Sequence, residues 1–229
     1  MMGLIEQLRS DDLVISGRLV DASNATLFGY LKSDESVKII YKPKAGERPL
    51  WDFPDGSLAA REMSAYIFSE LFEFKIVPPT VLRDGPFGFG MVQLWIDEAQ
   101  PENLIEVAQS RRDDLRKMIF FDALINNADR KYGHILITKE NQILGCDHGI
   151  SFHVEDKLRT VLWQFSGEDL LASEHQILEQ IKDANLNEFK DLLTQREIEA
   201  INSRAETLLK IGRLPIPSND RPSIPWPPV

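Results

Sequence analysis

The chain has 229 residues, of which 43% are hydrophobic, and its formal net charge at pH 7 is −10. It is long enough to bury a sizeable core, and its acidity argues against general binding to nucleic acid or to anionic membranes. The single cysteine excludes an internal disulfide framework and no stretch reaches the roughly 20 apolar residues of a membrane span, so we expect a cytoplasmic monomer without a transmembrane segment.

The N-terminal part of the chain has the alternation typical of β-strands. Apolar runs begin at Leu13 and at Leu27, and the polar turn between them predicts an antiparallel pair. The small polar residues of this turn are Ser23, Asn24 and Thr26. A third strand, Val37–Pro43, ends at its proline, and its even spacing places Lys38 and Lys42 on one face.

A helix and two further strands are predicted next. Residues Ser57–Phe72 carry an apolar stripe at helical spacing, and Glu62 lies beside that stripe in the first half of the helix. Two strands, Ile76–Leu82 and Gly88–Ile96, are separated by an Asp-Gly turn signal. The polar stretch Asp97–Arg112 then predicts a linker with a short helix, and hence a boundary between two parts of the fold.

The second half of the chain contains two aspartates at the ends of a predicted hairpin. An amphipathic helix over Asp113–Asn126 leads to Asp129, and the apolar runs Ile135–Ile137 and Ile143–Leu144 form the hairpin that precedes Asp147. A hairpin brings two such carboxylates together. One carboxylate can then orient a nucleophile while the other holds a Mg²⁺ ion that neutralises phosphate charge.

These two loops, D-R-K-Y-G-H-I-L and C-D-H-G, resemble the catalytic and metal-binding loops of phosphatidylinositol 3/4-kinase-like proteins. That group belongs to the wider set of atypical kinases, which includes toxin kinases of the HipA type, with loops D-R-H-x-x-N and D-x-G. The resemblance implies that Asp129 is the catalytic aspartate and Asp147 the metal-binding aspartate. It also implies ATP and Mg²⁺ or Mn²⁺ as cofactors, and Arg130 as a group that stabilises phosphate or the catalytic loop.

The same resemblance gives roles to residues of the N-terminal part. Lys42 would contact the nucleotide phosphates and pair with Glu62, while the turn with Ser23, Asn24 and Thr26 would cover the phosphates. In this comparison Gln93–Ile96 resembles the hinge that binds adenine, with Gln93 and Trp95 as candidate contacts. A surface lysine, an ordinary hairpin turn and a core tryptophan remain the simpler interpretations of these residues taken one at a time.

One position departs from the family pattern. His134 stands where the family has a metal-binding Asn, and an imidazole is a less natural ligand for Mg²⁺ than an amide oxygen. The fold that the resemblance implies is α+β and bilobal, with a small β-rich N-terminal lobe that contains one key helix. The expected division is 1–97 for this lobe, 98–213 for a mostly helical C-terminal lobe, and 214–229 for a proline-rich tail.

The expected function is ATP- and metal-dependent phosphoryl transfer to a protein, small-molecule or lipid acceptor. Two alternatives use the same fold: a pseudokinase that binds nucleotide as a regulatory module, and an enzyme that transfers AMP instead of phosphate. A metal hydrolase built on Asp147 and three histidines is a fourth hypothesis, although the spacing matches no zinc signature. Those histidines are His134, His148 and His153.

Overall fold

The computed structural model describes residues 3–19, 24–99 and 103–229. The strands are β1 (Leu13–Arg18), β2 (Leu27–Leu31), β3 (Asp34–Pro43), β4 (Thr80–Gly85), β5 (Gly88–Leu94), β6 (Ile135–Ile137) and β7 (Ile143–Gly145). The α-helices are α1 (Leu4–Ser10), α2 (Leu58–Leu71), α3 (Leu104–Gln109), α4 (Asp113–Ile125), α5 (Ala172–Asp183) and α6 (Gln195–Ile211). The prediction of an α+β fold, with a β-rich N-terminal lobe and a mostly helical C-terminal lobe, is confirmed.

The N-terminal lobe is a five-stranded antiparallel sheet in the order β1-β2-β3-β5-β4. Alternation along β3 places Ile39 and Tyr41 on one face, where they are fully buried with Leu8 of helix α1. The opposite face carries Ile40 and Lys42. The apolar cluster of Leu8, Ile39 and Tyr41 covers only the first face. The face with Lys42 is not covered by it and can form a wall of the cleft between the lobes.

The larger core joins helix α2 to the C-terminal lobe. Phe68 of α2 is fully buried against Phe121 of α4, Phe152 and Phe189, with ring centroids 5.9–6.4 Å apart. Helices α5 and α6 close the same cluster through their apolar faces. The helix that carries Glu62 is therefore anchored in the C-terminal lobe, although it lies among the strands in sequence.

One predicted strand begins later than expected. Strand β4 starts at Thr80 instead of Ile76, because Pro78 and Pro79 have no N–H for a sheet ladder and Ile76 packs into the larger core. Helix α5 starts at Ala172, and Asp169 just before it forms a bridge with Arg213 in the segment after α6.

The proline-rich segment 214–229 contains no helix or strand and lies along the C-terminal lobe. Thr160 N and Trp163 Nε1 both donate to Ser223 O, at 3.0 and 2.9 Å, and Tyr132 N donates to Pro228 O at 2.8 Å. These bonds fix the segment beside the loop that follows Asp129. No helix in the described parts of the chain is long and apolar enough to cross a membrane.

Candidate active site

A buried ion cluster lies between the two lobes. Lys42 Nζ donates to Glu62 Oε1 and to Asp147 Oδ1, each at 2.7 Å. The Glu62 side chain is 2% exposed and its second oxygen accepts from His148 N at 2.9 Å, while the Asp147 side chain remains 41% exposed. Strand β3, helix α2 and the loop after β7 therefore meet at the Lys42 ammonium, and Asp147 is the open side of the cluster.

The charges in this cluster support one another. Burial alone would lower the pKa of Lys42, but the carboxylates of Asp147 and Glu62 raise it well above its ordinary value. Burial alone would raise the pKa of Asp147, but the Lys42 ammonium holds it well below its usual range. Lys42 is thus a cation and Asp147 an anion at neutral pH, as binding of phosphate and of a metal each requires.

Asp129 lines the same pocket as Lys42, Glu62 and Asp147. Its backbone N–H donates to Asn127 Oδ1 at 3.0 Å, and its carboxylate lies 3.3 Å from Lys131 Nζ. Burial raises the pKa of Asp129, although Lys131 opposes that shift. A carboxylate with a raised pKa is a better proton acceptor, which suits a general base. Lys131, for which the sequence suggested no role, carries the cation nearest to this carboxylate in the described contacts.

His134 lies between the two aspartates. Its Nδ1 is 2.9 Å from the Asp129 carbonyl oxygen, and because a carbonyl can only accept, Nδ1 carries a hydrogen. Burial lowers the pKa of His134, so the neutral ring presents the lone pair of Nε2 to Asp147 Oδ2, 3.3 Å away. Two acceptors facing each other at this distance repel unless a cation lies between them.

A divalent metal fits this pair of donors. In the described residues no group of three or more His, Cys, Asp or Glu side chains could enclose a metal by itself. Mg²⁺ in phosphate-transfer sites is held by one or two carboxylates and completes its shell with phosphate oxygens and water. A site of that kind needs no more protein ligands than Asp147 and His134 can supply.

Arg130 makes its described contacts with other protein groups and does not line the active-site pocket. Its side chain is fully buried, and two of its nitrogens donate to the Asp122 carboxylate, each at 2.9 Å. Nη1 donates to the carbonyl oxygens of His134 and Cys146, at 3.0 Å each. The guanidinium thus joins α4 to both ends of the hairpin. Of the two roles expected for Arg130, the contacts describe the one in which it stabilises the catalytic loop.

The remaining histidines do not form a metal cluster with Asp147. His148 is fully buried, with Nε2 2.7 Å from Arg130 Nη2, and burial lowers its pKa well below the ordinary value. His153 accepts a hydrogen bond from Glu155 N at its Nδ1 and packs edge-on against Phe53. Two of the three histidines proposed for a hydrolase are therefore engaged elsewhere.

The face of the sheet next to Lys42 provides an apolar wall. Trp95, just beyond β5, packs edge-on against Phe28 with ring centroids 5.0 Å apart, and both rings are half-buried. Gln93 lies on the same face, but its amide is 5% exposed and donates to Thr80 Oγ1 at 2.8 Å. The tryptophan remains a candidate wall for an adenine ring. The Gln93 side chain already has a hydrogen-bond partner. A contact between this residue and an adenine ring would therefore use its backbone groups.

Two loop segments, which contain Asn24 and Glu47, also line the active-site pocket. Asn24 lines the pocket, its Oδ1 accepts from Arg48 N at 2.9 Å, and Thr26 is 5% exposed and does not line it. Ser23 lies outside the described residues. Glu47 also lines the pocket, and its carboxylate accepts from Leu58 N and Ala59 N, which are at the start of helix α2. No local pattern indicates this cap, because Glu47 precedes the two N–H groups by eleven and twelve residues.

No family model matches this chain. Protein Rv2133c of Mycobacterium tuberculosis (strain ATCC 25618 / H37Rv) is 40% identical to it, and the match covers 98% of each chain. Identity at this level over nearly the whole of both proteins is decisive. The chain belongs to the family of Protein Rv2133c.

Solved kinase structures share the fold. Hydra Fam20, solved with a sugar, matches with a TM-score of 0.63 at 13% identity, over 91% of this chain and 86% of that one. The Golgi casein kinase with Mn/ADP bound gives 0.62 at 13% identity, over 91% and 74%. The Helicobacter pylori proinflammatory kinase CtkA gives 0.51 at 10% identity, over 90% and 94%. These structures confirm the kinase-like fold, and they leave the narrower resemblance to phosphatidylinositol 3/4-kinases unconfirmed.

Proposed function

We propose that this protein is an ATP- and divalent-metal-dependent phosphotransferase. The observation that carries the proposal is the cluster in which Lys42 contacts both Glu62 and Asp147 at 2.7 Å, with Asp129 on the wall of the same pocket. The fold shared with the kinases supports it, and the Mn/ADP complex of the Golgi casein kinase is consistent with the expected cofactors.

Each residue of the cluster has a role in such a reaction. The Lys42 ammonium binds the nucleotide phosphates, and Glu62 keeps it in place when the contact with Asp147 is exchanged for phosphate. Asp129 orients the acceptor hydroxyl and takes its proton, while the hydroxyl oxygen bonds to the γ-phosphorus and the bond to the ADP oxygen breaks. Asp147 and His134 would hold the metal, which when bound neutralises phosphate charge.

The acceptor is a hydroxyl group of a protein, a small molecule or a lipid. A protein hydroxyl is supported by the name of one neighbour, the Golgi casein kinase, and a sugar hydroxyl by the sugar in the Fam20 structure. The likeness to phosphatidylinositol kinases rests on the two loops with Asp129 and Asp147. It keeps a lipid among the acceptors, although the net charge of −10 is unfavourable for an anionic headgroup.

Incubation with ATP labelled on the γ- or the α-phosphate, with Mg²⁺ or Mn²⁺, tests the proposal. We expect label from γ-ATP, and none from α-ATP, to appear on protein or on an added hydroxyl acceptor. Transfer of the α-label would identify an AMP transferase. Metal-dependent binding of ATP without transfer of either label, over a panel of the three acceptor classes, would identify a pseudokinase and contradict the proposal.

His134→Asn tests the assignment of the second metal ligand. Imidazole favours Mn²⁺ over Mg²⁺ in comparison with an amide oxygen, so we expect the ratio of Mg²⁺- to Mn²⁺-supported activity to rise at least several-fold in the variant. Steady-state rates at saturating metal measure this ratio. The control is His175→Asn, since His175 lies in α5 and does not line the pocket. An unchanged ratio would show that His134 is not a ligand.

A further inference from the structure

A second cavity of about 910 Å³ opens in the C-terminal lobe and shares no lining residue with the active-site pocket. Its walls are helix α6 and the segment that follows it, which includes Leu214 and Ile216. Cavities of roughly 300–1,000 Å³ are the usual size for small-molecule ligands. None of the roles proposed above uses this space.

One part of the cavity is apolar and open to solvent. Ile211 at the end of α6 is 59% exposed, Ile216 is 72% exposed and Val154 opposite them is 47% exposed. Trp163 adds an aromatic surface, with its Nε1 already donating to Ser223 O. Large aliphatic side chains that stay exposed next to a cavity mark a surface that gains stability when an apolar ligand covers it.

The polar part of the cavity is cationic in a chain that is otherwise acidic. Four arginines line it against two acids, Asp156 and Glu199: Arg196, Arg204, Arg213 and Arg221. The exposed Arg213 pairs with Asp169, and Arg221 pairs with Asp156 at 2.8 Å. An excess of positive charge therefore remains at this cavity, while the whole chain carries a net charge of −10.

Arg204 is the centre of this charge. Its Nε donates to Leu124 O at 2.7 Å and its Nη1 to His153 O at 3.2 Å, but no carboxylate of the described residues lies within 4.0 Å of it. Its Nη2, like Arg221 Nε, is buried and donates to no acceptor in the described part of the chain. Burial lowers the pKa of Arg204 to about 10, although the charges of Asp156 and Glu197, neither of which contacts the guanidinium, oppose that shift.

We propose that this cavity binds a small amphipathic carboxylate of the medium-chain fatty acid type. The carboxylate would lie against Arg204, where it supplies the missing negative charge, and the hydrocarbon chain would cover Ile211 and Ile216. The match is one of charge and of polarity: a single anionic end meets the arginines, and an unbranched apolar body meets the exposed aliphatic wall. The proposal concerns a site separate from the nucleotide cleft and does not depend on phosphoryl transfer.

Titration of the full chain with decanoate, below its micelle concentration, tests this assignment. Isothermal calorimetry measures affinity, and NMR spectra of the isoleucine methyl groups locate the ligand. We expect decanoate to bind at least tenfold more tightly than decanol or decyltrimethylammonium, with shifts at Ile211 and Ile216. Arg204→Gln should weaken decanoate binding about tenfold, while Arg9→Gln, a substitution in the remote helix α1, should leave it unchanged.

A second variant, on the exposed apolar wall, keeps the test decisive if Arg204→Gln fails to fold. Ile216→Glu places a negative charge on a side chain that is 72% exposed, so it should keep the fold and reduce decanoate affinity at least tenfold. Equal affinity for decanol and decanoate would overturn the proposal. So would methyl shifts confined to other isoleucines, or decanoate binding that Ile216→Glu leaves unchanged.

Discussion

Asp129→Asn is expected to reduce kcat for phosphoryl transfer by about 10²–10⁴-fold, the usual contribution of a general base. The amide keeps the size of the side chain but cannot take a proton from the acceptor hydroxyl. Affinity for ATP should stay close to that of the wild type, because Lys42, Glu62 and Asp147 are unchanged and make their contacts without Asp129. Steady-state kinetics give kcat, and calorimetry with ATP and Mn²⁺ gives the affinity.

The dependence of the rate on pH provides a second check on the same residue. Burial raises the pKa of Asp129, and a base acts only when deprotonated, so kcat/KM should fall as the pH falls through this raised pKa. The acid limb should therefore lie above that of an ordinary aspartate and be lost in the variant. The matched control is Asp113→Asn, an exposed position in the first turn of α4. A variant that keeps more than a tenth of the wild-type kcat would contradict the role of Asp129.

The site residues that the sequence did predict lie within regular elements or directly beside them. Lys42 is near the end of strand β3 and Glu62 is in the first half of helix α2, so periodicity alone fixes the face on which each one lies. Asp129 and Asp147 flank a hairpin whose strands pair in register from Ile135 to Gly145, which brings the two loops to the same end. Periodicity therefore placed these residues on their elements, while the resemblance to the kinase loops was needed to single them out as one cluster.

Residues whose role depends on tertiary packing could not be predicted in the same way. Arg130 follows Asp129 directly, and nothing in the local sequence shows that Asp122, one helix turn before the end of α4, holds the Arg130 guanidinium in the core. Glu47 lies in an irregular loop, and its cap on α2 depends on how that loop folds back. Burial and long-range hydrogen bonds decide such roles, and neither has a periodic signal.

Arg61, next to Glu62 in helix α2, is the clearest example of a residue without a sequence signal. It is 1% exposed, its Nη2 contacts the Glu197 carboxylate of α6, and its Nη1 donates to Ser151 O at 2.6 Å. Its guanidinium also lies 4.8 Å from the centroid of the Phe53 ring. One side chain thus ties the helix that carries Glu62 to the loop after Asp147 and to the C-terminal lobe.

Glu197 is also held in place by contacts that do not involve Arg61. Its carboxylate accepts from Thr194 N and Thr194 Oγ1, both at 2.8 Å, as part of the capping box of α6. Burial alone would raise the pKa of Glu197, but the hydrogen bond from the Thr194 backbone and the contact with Arg61 lower it. The pair is therefore ionised at neutral pH, and its geometry is fixed by a helix start instead of by flexible side chains.

Arg61→Met is expected to lower the free energy of unfolding by about 3–5 kcal/mol, the usual cost of removing one partner from a buried ion pair. Phosphotransferase activity should fall with it, because α2 would lose the contact that holds Glu62 towards Lys42. Chemical denaturation measures the stability. The control is Lys182→Met, which breaks an exposed pair with Glu179 and should leave the stability nearly unchanged.

The double variant Arg61→Met/Glu197→Gln separates the ion pair from the packing of Arg61. Removing both charges leaves no uncompensated buried carboxylate, so the double variant should recover part of the stability that Arg61→Met loses. The activity of the double variant is expected to stay low, because the two substitutions together do not restore a link between α2 and α6. If Arg61→Met costs no more than Lys182→Met, or if activity is unaffected, then the pair does not position helix α2.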